Sequence, residues 1–154
     1  RYSYTLYDNQ GELVAHSLTQ FLSSGFLFHS LTDIDVWDAN NQYIGTISGK
    51  FWTNSRAKFD FFNSKGAHFG AAHLNTETTN FIIAANTGKG MKPIGGLEAE
   101  GYGDMSAITV KLKRNFQDDR MLKIFAAFIS DYHDYFVVKP EINNYNIDFG
   151  SSRD

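Results

Sequence analysis

Asp119-Arg120-Met121-Leu122-Lys123-Ile124-Phe125-Ala126-Ala127-Phe128-Ile129-Ser130-Asp131-Tyr132 is the stretch that decides the fold. Met121, Leu122, Ile124, Phe125, Phe128, Ile129 and Tyr132 cover most of a helical wheel. Ala126 and Ala127 add helix propensity, and Asp118 or Asp119 suits the N-cap. A helix that is apolar on nearly every side belongs in an interior. The spacing therefore predicts a buried helix over about residues 119–132. The competing reading is two short buried strands, because Ile124, Phe125, Phe128 and Ile129 would suit those as well.

Everything upstream reads as strand. Tyr2, Tyr4 and Leu6 alternate with polar neighbours, Asp8-Asn9-Gln10-Gly11 turns the chain, and Leu13-Val14-Ala15-His16 returns. Phe26, Phe28 and Ser30 alternate next. Ile34 to Asp38, a turn at Asp38-Ala39-Asn40-Asn41, and Tyr43 to Ile47 make a second hairpin. Lys58 to Phe62, the turn Asn63-Ser64-Lys65-Gly66 and Phe69 to Leu74 make a third. Asn80 to Ala85, Gly95 to Glu100 and Ile108 to Leu112 complete a series with the rhythm of a sandwich or barrel. The Gly-rich part, Thr87 to Gly103, reads as turns between strands.

Composition agrees. Aromatic residues are 16% of the 154, with 14 Phe and 8 Tyr, and there are only 2 Pro, as suits a β-rich domain. The formal net charge of −3 argues against nucleic acid as the partner. The chain has no cysteine, which excludes disulfides, thiolate metal sites and a cysteine nucleophile. No apolar run is long enough for a transmembrane helix, and no signal-like segment opens the chain. Arg1 stands where an initiator methionine would, which leaves a removed signal or a lost arm open. Together these features favour a cytoplasmic protein, peripheral to a membrane at most, or a bacterial one of any compartment. Residues 1–138 read as one domain. Residues 139–154, Asn-rich from Pro140 onward, read as a C-terminal tail laid over it.

The repeated strand-Asp-turn-strand hairpin, its third copy at Phe59 to Gly66, and the late apolar helix leading to Phe128-Ile129-Ser130-Asp131-Tyr132 together resemble the tubby C-terminal-like superfamily. The likeness spans roughly residues 2–136 and is nearest to the phospholipid scramblase and LURP-one-related branch. The resemblance implies a closed antiparallel β-barrel threaded by the hydrophobic helix. It also implies a non-enzymatic module that meets an anionic membrane lipid or phosphoinositide head group. Physically, a barrel removes sheet edges and its interior must be filled. Two departures limit the carry-over. Asp104 to Arg114 lacks the spaced aspartates of the scramblase calcium loop, and the cysteine-rich acylated segment is missing.

Among the residues that carry chemistry, Lys111 and Lys113 alternate with inward Val110 and Leu112. With Lys50, Arg56, Lys58 and Arg114 they are the candidate basic face, each lysine contributing about 1 kcal/mol near an anionic surface. The bland alternative is a solvated outer strand face. Thr87-Gly88-Lys89-Gly90-Met91-Lys92 suggests phosphate binding by backbone N–H groups, but fits neither nucleotide-loop spacing and reads first as a hairpin tip. His68 and His73, five apart, should face opposite sides of a strand, so no metal is expected. Asp131, His133 and Asp134 suggest acid-base chemistry but lack a nucleophile. Phe59, Phe61, Phe62, Phe69, Phe81, Phe125 and Phe128 would line a lipid cavity or, if the helix is real, a packed core. The expectation is no catalysis and no cofactor. The other readings are a barrel carrying a hydrophobic ligand and a protein-interaction domain.

Overall fold

In the computed structural model, residues 2–23, 30–51, 57–75, 80–100 and 107–136 are described. They form nine strands: β1 (Tyr2–Tyr7), β2 (Leu13–Ser23), β3 (Ser30–Asp38), β4 (Tyr43–Phe51), β5 (Ala57–Asn63), β6 (His68–Leu74), β7 (Phe81–Asn86), β8 (Met91–Glu100) and β9 (Ala107–Leu112). One helix follows, α1 (Asp119–Phe136). The strands pair in sequence order, each antiparallel to the next, in a single sheet. Phe26 and Phe28 lie outside the described residues, as does the tail, 139–154.

The hairpin repeat is one local device used again and again. Asp8 Oδ1 accepts hydrogen bonds from the backbone N–H groups of Gln10 and Glu12 at 2.8 and 2.9 Å. Asp38 Oδ1 does the same for Asn40 and Gln42, and Asn63 Oδ1 for Lys65 and Ala67. A short polar side chain thus satisfies two turn donors that the ladder cannot reach. Each turn closes through a left-handed residue: Gly11, Asn41 and Gly66, with φ of 80°, 60° and 75°. Glycine and asparagine fill that conformation at little cost.

Burial follows the alternation. Ile34, Val36, Ile47, Phe59 and Phe61 are fully buried and belong to one core cluster with the inner residues of α1. Phe125 of the helix stands among the rings of Phe59, Phe61 and Phe81 at centroid distances of 4.8, 5.5 and 5.5 Å. Phe128 touches Phe59 and Tyr4. Gly49 makes room for this cluster, since a Cβ there would lie 2.4 Å from Phe59 Cε1. The helix reaches β1, β2, β4 and β9 as well. Nine flat strands would span about 38 Å, whereas a helix is about 10–12 Å across. Only a sheet curled around α1 makes all these contacts.

The stretch 119–132 is therefore helix and not two strands, and α1 extends four residues beyond Tyr132. Asp118 is its cap, accepting the Arg120 N–H at 2.9 Å. The expectation of an all-round apolar helix is corrected. Met121, Leu122, Ile124, Phe125, Phe128 and Ile129 are buried, but Asp119, Lys123 and Asp131 are exposed and Ala126, Ala127 and Ser130 half-exposed. One side of α1 looks out between β1 and β9. Among the described residues no pairing joins those two edge strands. β8 also begins earlier than alternation suggests, at Met91. It carries Pro93 where its register against β7 slips, as a strand proline requires.

Replacing Phe128 tests this packing. Phe128→Ala should cost about 3–5 kcal/mol in urea denaturation. Phe128→Asp, an unpaired charge among rings, should abolish the cooperative transition. A cooperative Phe128→Asp variant would contradict the burial.

Candidate functional site

The outer faces of β7, β8 and β9 form a groove of about 740 Å³ lined by Ile82, Gly95, Gly96, Glu98, Lys111 and Lys113, with Asn75 and Asn80 at one end. Its floor is backbone. Gly96 sits opposite Ile82 on one side and Lys111 on the other. Three side chains in that row would fill the surface, whereas glycine in the middle leaves a trough. Ile82, 39% exposed, is an apolar wall. Lys111 Nζ donates to Glu98 Oε2 at 2.6 Å. Lys113 projects into solvent beyond it, its backbone N–H held by the Ile94 carbonyl at 2.7 Å.

Lys111 and Lys113 share the groove, and Arg114 follows them in an exposed turn. Lys50 and Lys58 are register partners on β4 and β5, five and four strands away from β9 in sheet order. Lys58 is held by Asp60 at 3.2 Å. Arg56 lies outside the described residues. Sheet order thus sets Lys58 four strands apart from Lys111 and Lys113. Period-two alternation predicts which face a lysine takes, but not which strands become neighbours.

The histidine expectation is overturned. Phe61 pairs with Gly70 but Phe62 pairs with His68, so β6 carries an extra residue at Phe69. That bulge shifts the parity, and His68 and His73 both lie on the outer face beside Asp60 and Lys58. His68 Nε2 is 2.9 Å from Asp60 Oδ1 and its ring lies against Phe62. No group of three or more potential ligands is close enough for a metal among the described residues. Partial burial, and secondarily the Lys58 ammonium, push the His73 imidazole below its ordinary value, with Asp60 opposing.

The other candidates resolve simply. Thr87 to Lys92 is a hairpin tip whose Gly88 N–H is occupied by Asn86 Oδ1 at 3.0 Å. Thr87 closes it on the Gly90 carbonyl. Asp131 accepts the Tyr4 hydroxyl at 2.9 Å and so ties α1 to β1. The side chains of His133 and Asp134 lie outside the described ones. Sequence reading missed Ile82, Glu98 and the Asn pair. The available signal was Gly95-Gly96 inside a strand pattern, which marks a bare patch of sheet. Comparison with protein-family models, with curated proteins and with solved structures finds no match for the chain.

His73 gives a pH prediction. A histidine whose folded value lies below its unfolded one leaves stability intact above about pH 6.5. Below that the unfolded chain takes up protons first and stability falls. The urea midpoint should therefore drop as pH falls below about 6.5, and drop less in His73→Gln. Identical slopes for the two proteins would remove His73 from the account.

Proposed function

We propose that the chain is a non-enzymatic binding module of the tubby C-like type, its sheet closing into a barrel about α1. The β7–β9 groove then takes the anionic head group of a membrane lipid or phosphoinositide. The observation that carries this reading is the placement of Lys111 and Lys113 along one trough with a backbone floor. An anionic group entering it meets the Lys113 ammonium and draws Lys111 from Glu98. Ile82 offers apolar surface to the adjoining glycerol or acyl carbons. Charge pairs at an exposed site are individually weak, so the reading needs a multivalent surface such as a bilayer to sum them. Packing weighs against the carrier alternative, because Met121, Phe125 and Phe128 occupy the space that a hydrophobic ligand would need.

Co-sedimentation with vesicles of neutral lipid, phosphatidylserine or phosphoinositide, at low and physiological salt, tests it. Binding should be selective for an anionic vesicle and weaken with salt. Lys111→Glu and Lys113→Glu should each lower vesicle affinity by about fivefold or more. Binding that persists in the double variant would displace the site. Absence of binding to every vesicle would refute the lipid reading and leave a protein-interaction domain.

A further inference from the structure

Among the described residues the buried polar side chains are Ser17, Thr19 and Thr32, all on the inner faces of β2 and β3. They share those faces with Ala15, Ile34 and Val36, which have no exposure at all. Ser17 is provided for. Its Oγ accepts the Tyr4 N–H at 3.3 Å and donates to the Tyr4 carbonyl at 3.5 Å. Thr19 and Thr32 are not: both are wholly buried, and neither Oγ1 has a hydrogen-bond partner among the described residues. A buried hydroxyl without a partner is costly, and valine would fill the same shape without that cost. Two such hydroxyls on adjacent strands point to a guest that bonds to both.

The surrounding chain offers these hydroxyls little. β2 runs between β1 and β3, and β3 between β2 and β4, so ladder partners flank both strands. Thr19 pairs with Tyr2 and Ile34, and Thr32 with Phe21 and Gly49. On the β4 side the Phe59 ring covers Gly49, where an added Cβ would lie 2.4 Å from Phe59 Cε1. Phe128 packs on Phe59 in turn, so the neighbours there are rings that supply no ordinary acceptor. Thr19 lies opposite Ile34, two residues along β3 from Thr32, which makes the threonines diagonal neighbours on one face. Such neighbours stand about 7–8 Å apart, and somewhat less between Cβ atoms. An oxygen bonded at about 2.8 Å to each hydroxyl bridges about 5.6 Å. That span suits a single water. Each hydroxyl can donate and accept, which gives a water the two polar partners it needs.

We propose that Thr19 and Thr32 form a binding site for one internal water, held between their hydroxyls beside the aromatic core. The water links β2 to β3 through side chains as the ladder links them through backbone. The site lies on the inner face of the sheet, whereas the β7–β9 groove lies on the outer one, and it does not depend on lipid binding.

Two measurements on the full chain test it without vesicles, so its outcome is separate from theirs. The first is a double-mutant cycle by urea denaturation. Thr19→Val and Thr32→Val each strand the other hydroxyl, and each should lower the folding equilibrium constant by about fivefold or more. The double variant has no stranded hydroxyl and should recover most of that loss, a non-additivity that reports a shared partner. Additive effects, or a gain in stability from each valine, would overturn the proposal. The second is oxygen-17 relaxation dispersion of the solvent, which detects waters that stay inside the protein as it tumbles. Its amplitude should fall by one water in both single variants and in the double, and should hold in Thr32→Ser, which keeps the hydroxyl. No dispersion in the parent, or an amplitude that the valines leave unchanged, would overturn it. Should the double variant fail to fold, the dispersion of the single variants decides.

Discussion

The contact on which the structure depends is the seat of Phe125 among Phe59, Phe61 and Phe81. These three rings come from β5 and β7, and Phe125 itself lies more than forty residues further along the chain, on α1. Edge-to-face rings contribute beyond their buried area, and removing one would leave a cavity in a core built of few large pieces. The curl of the sheet, the glycine at position 49 and the burial of the inner face all follow from having a helix to enclose. Without α1, nine strands of this composition would expose an apolar surface large enough to aggregate.

Local chemistry made much of this fold legible. The Asp8 and Asp38 turns and the Asn63 turn are written in adjacent residues, because an Asx side chain bonds to the backbone two and four positions ahead. The helix was legible because Met121 to Ile129 has the right period and alanines where propensity matters. What escaped was non-local. The one-residue bulge at Phe69 reverses the face of His68 relative to His73, and no residue near it announces the slip. The polar side of α1 was hidden for a similar reason. Asp119, Lys123 and Asp131 are visible in the sequence, but only the open line between β1 and β9 explains why they are tolerated.

The candidate site was half legible. Alternation placed Lys111 and Lys113 outward beside inward Val110 and Leu112, as found. It could not say that β5 and β9 stand four strands apart in sheet order, so Lys58 was grouped with Lys111 and Lys113 on pattern alone. Nor could it show that a glycine pair opposite Ile82 would open a trough. A basic stripe is a property of sheet order, and sheet order is decided by which strands the helix and hairpins bring side by side.

The most direct test of the account is a set of nuclear Overhauser contacts from the Phe125 ring, assigned by selective labelling in the full chain. The account predicts cross-peaks from Phe125 to Phe59, Phe61 and Phe81 together, uniting a late helix with two separate strands. A Phe125 ring with no contact to β5 or β7, in a chain that still unfolds cooperatively, would contradict a sheet wrapped around its helix.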